Sequence, residues 1–296
     1  MMIHMSDWRF GVALTEQPRS TEELANRIRA LDELGLDVVN VGDHLGWAGP
    51  FETLVAAATA SSRLRFRTYV LNAGFWNPAL LARSVATTDV LTGGRLEVGV
   101  GAGYMRAEHE DAGLPWLPFA ERIDHLTTLV TELRRRLADP EHQPRPVQDR
   151  VPVLVGAAST AGLTVAAQHA DIVGLAGVRP AQAAQPGILT LVGAEETERL
   201  VRGVREQAGD RELRVDLFLQ RVELGRDPAE VAAEIVAALP HVSAEQVLDS
   251  PHVLLARTAE EAAEEVVRRG KAYGITELTT HEPFAPALAE VAALLR

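Results

Sequence analysis

The chain contains no cysteine among its 296 residues. Disulfide bonds, thiolate metal sites and cysteine nucleophiles are therefore excluded. Aromatic residues make up only 5%, whereas hydrophobic residues overall make up 47%. This balance is typical of a globular protein whose core is built from aliphatic side chains.

Basic residues are scarce, with 29 Lys and Arg against 41 Asp and Glu and a formal net charge of −12. The densest basic run, 134–136, lies in a predicted helix among acids, and we expect no nucleic-acid partner. Long apolar runs are also missing. No stretch approaches the roughly 18 residues of a membrane helix, and residues 1–9 lack a signal-peptide core. We therefore expect no membrane partner and a cytoplasmic location.

Short apolar runs alternate with segments of helical periodicity along the whole chain. The predicted strands cover residues 9–14, 37–41, 64–71, 96–100, 151–156, 171–175, 213–224 and 275–280. Eight strands that alternate with helices predict an α/β fold, a closed (β/α)₈ TIM barrel, with an open doubly wound sheet as the alternative. No linker interrupts the pattern, so we assign residues 1–296 to one domain.

Two stretches of small residues follow predicted strands. Gly99–Gly103 does not match a dinucleotide-binding fingerprint, because Tyr104 and Arg106 stand where its last glycine is needed. It indicates instead a close approach of the backbone to a ligand or to a neighbouring strand. Residues 155–160 precede a helix, where free N–H groups favour a phosphate. An ordinary strand-to-helix turn capped by Ser159 is the alternative.

Asp43 and His44 directly follow the second predicted strand. In a barrel the carboxyl ends of the strands form the active face, so both side chains are candidates for the mouth. Histidine moves protons near neutral pH, and a carboxylate fixes its tautomer. The alternative is that Asp43 caps a helix or a turn and that His44 packs nearby. Residues 108–111 (Glu-His-Glu-Asp) lack metal-ligand spacing, so we predict a solvated loop there and no metal site.

Several of these segments together resemble a known family. Residues 69–72 and 77–104, with Gly42–Leu45 before them and 151–156 and 170–175 after them, are similar to the luciferase-like monooxygenase superfamily. Residues 250–254 and 268–275 resemble an actinobacterial branch that is usually assigned to the deazaflavin coenzyme F420. The likeness runs from about Phe10 to the C-terminus.

The resemblance implies a bacterial luciferase-like barrel that binds its cofactor at the carboxyl ends of the strands. It implies a non-proline cis peptide at Tyr69–Val70 behind the cofactor ring, and contacts of Asp43 and His44 with the polar edge of the ring. His44 and Asp43 are the implied catalytic residues. The remaining implied cofactor contacts are Asn72, Gly101, Ala102, Gly103 and, for the phosphate, Ala157, Ala158 and Ser159.

The function implied by the resemblance is an F420-dependent oxidoreductase that transfers hydride between F420 and a small organic substrate. The alternatives are an FMN-dependent monooxygenase of the same superfamily and a flavin-binding barrel without catalysis. Relatives form homodimers through helices near the second and third strands, which makes Leu54, Val55, Leu80 and Leu81 candidates for an interface.

Three departures from the family pattern bear on this expectation. The phosphate loop reads Ala-Ala-Ser where relatives are richer in glycine. Tyr104 replaces a glutamate of the sugar-phosphate-oxidising relatives. The chain is also short between Leu137 and Val151, where relatives carry an additional segment, so we expect a more open mouth or an unusual substrate.

Overall fold

A computed structural model describes residues 8–180, 189–239 and 241–296. The strands are β1 (Arg9–Ala13), β2 (Val38–Val41), β3 (Arg65–Thr68), β4 (Leu71–Asn72), β5 (Leu96–Gly101), β6 (Val153–Ala157), β7 (Ile172–Leu175), β8 (Val178–Pro180), β9 (Leu189–Leu191), β10 (Arg214–Leu219), β11 (Arg221–Leu224), β12 (Val253–Ala256) and β13 (Glu277–His281). The helices are α1 (Thr21–Glu33), α2 (Pro50–Ala58), α3 (Pro78–Leu91), α4 (Arg106–Asp111), α5 (Phe119–Leu137), α6 (Thr160–His169), α7 (Ala194–Ala208), α8 (Pro228–Ala238), α9 (Ala244–Asp249), α10 (Ala259–Tyr273) and α11 (Ala285–Leu294).

Eight parallel strands close into a barrel. Their order is β3-β2-β1-β13-β10-β7-β6-β5, and β5 pairs back onto β3. The predicted TIM barrel is confirmed, and the open doubly wound alternative is wrong because both potential edge strands pair with each other. Each strand is followed by at least one helix that covers the outer face of the barrel.

Two of the predicted strands are divided in the structure. The third breaks between β3 and β4, at the Tyr69–Val70 peptide, which is cis as the resemblance implied. The seventh is β10 in the barrel followed by β11, which leaves the barrel and pairs in parallel with β12. Residues 108–111, which we predicted as a solvated loop, belong to helix α4 (Arg106–Asp111).

Helix α1 illustrates how local sequence fixes the elements. The Ser20 hydroxyl accepts a hydrogen bond from the Glu23 N–H at 3.1 Å and so caps the first turn. Leu24, Ile28 and Leu31, at helical spacing, are buried against the barrel. Gly35 follows in the left-handed region with φ 78°, where a glycine ends a helix at little cost.

The interior of the barrel is polar, whereas the layer between strands and helices is apolar. Arg67 is fully buried inside the barrel and donates to Asn40 at 2.7 Å, Glu277 at 2.9 Å and Asp216. Phe66, its neighbour on the opposite face of β3, belongs to the hydrophobic core. Side chains alternate between the two faces of a strand. Residues an even number of positions from an inward-pointing residue therefore also point into the barrel, and this identifies the interior side chains nearer the carboxyl ends of the strands.

Two of the four residues predicted to form a dimer interface lie inside this apolar layer. Leu54 and Leu81 have no exposed surface, so they pack on the barrel and cannot form an interface. Leu80 is half exposed. Across the described part of the chain, no helix is long and apolar enough to cross a membrane.

Candidate active site

The carboxyl ends of the strands bring together the residues singled out from the sequence. Asp43 follows β2, and its Oδ2 accepts a hydrogen bond from the Asn72 N–H at 3.2 Å. Asn72 is paired with Gly101 between β4 and β5. Gly101 in turn adjoins the carbonyl of Gly156, next to Ala157. The predicted residues therefore line one mouth, as expected of strand ends in a barrel.

His44 is held at this mouth by a glutamate. Its Nδ1 lies 2.7 Å from Oε1 of Glu108, and both side chains are partly exposed. Because a carboxylate oxygen accepts hydrogen bonds, this contact assigns a proton to Nδ1 and leaves Nε2 as the ring nitrogen that Glu108 does not engage. Glu108 lies on α4, 64 positions from His44. Our prediction of a solvated loop at residues 108–111 is therefore wrong.

Asp43 does not contact the His44 ring through a hydrogen bond. Its Oδ2 accepts from the Asn72 N–H and from the indole Nε1–H of Trp76, each at 3.2 Å. Burial raises the pKa of Asp43, and the two hydrogen bonds oppose that rise. Glu108 therefore orients the imidazole of His44, and Asp43 remains beside that imidazole as a partly buried carboxylate.

Asn72 is bonded within the protein at both ends of its amide. Nδ2 lies 3.1 Å from Nε2 of His109, and Oδ1 accepts from the Gly74 N–H at 3.1 Å. His109 is itself buried and packs edge-on against Trp116. Neighbouring residues of α4 therefore support two different parts of the mouth, Glu108 under His44 and His109 under Asn72.

The floor of the mouth is formed by the side chains of Tyr69 and Val70. A Cβ atom at Gly101 or Gly156 would come within 2.8 or 2.9 Å of a Val70 methyl group. The sequence left open whether a ligand or a neighbouring strand requires glycine at 101. In the structure, the Val70 side chain occupies the space that a larger residue would need. The Tyr69 ring packs against Phe218, 5.4 Å away on the far side of the barrel.

The Tyr69 hydroxyl is buried and has no hydrogen-bond partner among the described residues. Burial raises the pKa of this phenol well above its ordinary value, so it stays neutral. It lies 3.3 Å from the position that a Cβ atom of Gly174 would occupy. A neutral phenol and small neighbours thus close the barrel below the mouth.

The predicted phosphate loop leads into α6. Ser159 caps that helix by accepting from the Gly162 N–H at 3.2 Å, which leaves the N–H groups of Thr160 and Ala161 without partners inside the helix. The methyl group of Ala157 lies 2.7 Å from the position of a Cβ atom at 162. Glycine at 162 therefore compensates for the alanine at 157, and the cradle keeps donors suited to a phosphate.

The opposite wall contains residues that the sequence analysis missed. His281 points into the barrel, because it shares the face of β13 with Glu277 and Thr279, both of which bond Arg67. Its Nε2 lies 3.4 Å from Oε1 of Gln220, and its ring packs on Phe218. We predicted one strand over 213–224, so the strand end beside Gln220 was not recognised. For His281, the available signal in the sequence was its position at the end of a predicted strand.

Arg122, on α5, completes the rim beside the glycine-rich turn. Its guanidinium stacks 4.0 Å from the centre of the Trp116 ring and donates to the carbonyl of Gly103. No carboxylate pairs with it within the described ranges, and burial lowers its pKa from the ordinary arginine value. It fixes the turn at Gly103, whose φ is 74°.

The family profile for luciferase-like monooxygenases matches residues 1–295. The chain belongs to this family. An F420-dependent glucose-6-phosphate dehydrogenase of Kribbella flavida is 36% identical over 126 residues, which are 40% of this chain and 37% of that protein. An FMNH(2)-dependent dimethylsulfone monooxygenase of Pseudomonas putida is 30% identical over 131 residues, 39% of this chain and 36% of that one. These matches span about two fifths of each relative.

The fold is shared over the whole length with a solved family structure. An F420-dependent secondary alcohol dehydrogenase in complex with an F420-acetone adduct superposes with a TM-score of 0.75 and 18% identity, covering 98% of this chain and 99% of the other. At this identity the likeness establishes the luciferase-like barrel.

Proposed function

We propose that this protein is an F420-dependent oxidoreductase that transfers hydride between coenzyme F420 and a small organic substrate. The observation that carries the proposal is the His44–Glu108 pair, with 2.7 Å between Nδ1 and Oε1, at the mouth of a barrel of this family. The deazaflavin would supply or take the hydride. The protein would have to move the accompanying proton, and His44 is placed to do so.

In this proposal Nε2 of His44 accepts or delivers the substrate proton. Glu108 holds the proton on Nδ1 and stabilises the imidazolium that forms when Nε2 is protonated. Asp43, fixed by Asn72 and Trp76, would face the polar edge of the cofactor ring. Such proton transfer typically contributes about 10²–10⁴-fold in rate.

The residues present fit the cofactor. Val70 offers an apolar surface for a ring between Gly101 and Gly156, and Ala102 and Gly103 continue that wall. The free N–H groups that follow Ala158 and Ser159 suit the phosphate that F420 carries, because a helix N-terminus favours an anion.

The proposal is tested by titrating the purified protein with F420 and with FMN under the same conditions. We expect F420 to bind and FMN to bind more weakly. Ser159→Ala should weaken F420 binding, whereas Ser243→Ala, which removes a comparable helix cap on α9, should not. Tight FMN binding without F420 binding would overturn the cofactor assignment.

Proton transfer is tested with His44→Ala and Glu108→Gln in the F420-loaded protein. We expect both to lower kcat, the first by about 10²-fold or more and the second by less, because a glutamine still accepts from Nδ1 without its charge. Glu110→Gln, which affects only an exposed pair with Arg106, is the control. Full activity of the His44→Ala variant would show that the assigned role is wrong.

An FMN-dependent monooxygenase is the second candidate, supported by the match to the dimethylsulfone monooxygenase. F420 and FMN both present a tricyclic ring and a ribityl phosphate to the same cleft, so the paired titration decides between them. Binding of neither would support a barrel without catalysis.

We also propose a homodimer, with Val55 and Leu80 as remaining interface candidates. A monomer mass by light scattering at micromolar concentration would contradict it.

A further inference from the structure

Two exposed aromatic rings contact the imidazole of His44. The Trp47 ring is centred 4.9 Å from the imidazole and the Tyr104 ring 5.9 Å from it, both in edge contacts. Trp47 is 45% exposed and Tyr104 56% exposed. A molecule that contacts His44 from solvent therefore lies within reach of both rings.

The same two loops present further apolar side chains to water. Trp47 belongs to residues 42–49 and Tyr104 to residues 102–119, and the other large hydrophobic residues exposed there are Leu45, Met105, Leu114 and Phe119. Exposed apolar side chains concentrated on the loops around a cleft typically mark a ligand-binding surface. Leu91, equally exposed, lies at the far end of α3 and serves as a comparison.

The charges of these loops disfavour an anionic ligand. Residues 42–49 contain no lysine or arginine, and residues 102–119 contain one, Arg106, against three acids. Arg106 pairs with Glu110 at 2.7 Å, and Glu108 lies directly under His44. A substrate phosphate or carboxylate would meet a carboxylate at His44. Arg122, the rim cation without a carboxylate partner among the described residues, is stacked on Trp116 and donates to the carbonyl of Gly103.

We propose that Trp47 and Tyr104 form an entrance that selects a neutral, mainly apolar substrate with a single hydroxyl or carbonyl group at His44. The inference rests on the proposed function for the role of His44, but the selection itself is a property of the two rings. Tyr104 stands where the sugar-phosphate-oxidising relatives carry a glutamate, so a phosphorylated sugar is the contrasting ligand class.

The test is the affinity of the protein for 2-alkanones of increasing length, measured by calorimetry in the presence of F420 and in its absence. Complete burial tightens binding about fourfold per methylene. We expect 2-octanone to bind about tenfold more tightly than 2-butanone or better, and glucose 6-phosphate to show no binding. Equal affinity along the series, or binding of glucose 6-phosphate as tight as that of 2-octanone, would overturn the proposal.

Variants locate the effect. Trp47→Ala and Tyr104→Ala should each reduce the gain with chain length to about a third or less, Tyr104→Phe should keep it, and Leu91→Ala should match the wild type. A change of mass in light scattering on Trp47→Ala would mean that the rings contact a second copy of the chain, which contradicts the proposal.

The F420 titration of the same samples separates this inference from the proposed function. A gain with chain length in a protein that does not bind F420 supports the apolar entrance and contradicts the proposed cofactor. F420 binding without any such gain leaves the cofactor in place and overturns the entrance.

Discussion

Removing Arg67 from the barrel interior should destabilise the protein more than any surface substitution. Arg67 is fully buried, as is Asp216, whose Oδ2 it bonds. Glu277 would keep Arg9 and Arg214, both at 2.6 Å, and Glu97 would keep Arg9 and Arg65. Among the described residues, Asp216 would retain only the Thr279 hydroxyl, at 2.9 Å. The cost of Arg67→Met therefore falls mainly on one buried carboxylate.

Breaking a buried ion pair by removing one partner costs about 3–5 kcal/mol, and we expect Arg67→Met to lose that much in urea unfolding followed by circular dichroism. The double variant Arg67→Met/Asp216→Leu removes both charges and should recover most of the loss. Arg63→Met is the matched control, because its pair with Asp32 is exposed and such pairs contribute about 0–1 kcal/mol.

The loss should also depend on pH. Burial raises the pKa of Asp216 to about 6, although Arg67 opposes the rise. Since its folded pKa lies above the unfolded one, Asp216 destabilises the fold increasingly as the pH rises from about 4 to 6. Arg67 stabilises only the ionised form, so Arg67→Met should cost less at pH 5 than at pH 8. A loss below about 1 kcal/mol at pH 8, or a double variant no more stable than the single one, would refute the reasoning.

Three further outcomes are expected. Gly101→Val should lower the free energy of unfolding by about 1–3 kcal/mol by overpacking against Val70. Adding Val70→Ala to this variant should recover part of the loss. Equal stability of Gly101→Val and wild type in urea would contradict this. Ser159→Ala should cost about 1 kcal/mol, typical of a lost helix cap, and an unchanged midpoint would show that the cap contributes nothing. The pKa of Asp171 is lowered by the Val153 N–H and nearby arginines, which outweigh burial. Asp171→Asn should therefore be less stable than wild type at pH 7, and the difference should shrink as the pH falls below the ordinary aspartate pKa toward the lower folded one. Thermal unfolding of both proteins over a pH series downward from pH 7 checks this, and a difference that grows with acidity would contradict it.

The barrel was predictable because its strands are short apolar runs at regular spacing. Phe66 and its outward-facing equivalents supply that signal, since they pack under the helices. The break at Tyr69–Val70 came only from the family resemblance. The departure of β11 from the barrel was not predicted, because Arg221–Leu224 continues the pattern of β10 and only its pairing with β12 reveals the change.

The site was predictable where chemistry follows a strand end, as at Asp43 and His44. Glu108 was missed because its partner lies far away in sequence and α4 has only six residues, too few for a clear periodic pattern. His281 and Gln220 are recognised by their parity with residues that bond Arg67. This shared inward direction becomes apparent only once the structure shows that the interior of the barrel is polar.

Helix α4 makes two parts of the mouth mechanically dependent on each other. Glu108 and His109 are consecutive residues, and they bond His44, which follows β2, and Asn72, which ends β4. A small rotation of this single turn and a half of helix would release the imidazole and the amide in the same movement. A substitution that loosens α4 therefore alters both the orientation of His44 and the support of Asp43 through Asn72 at once.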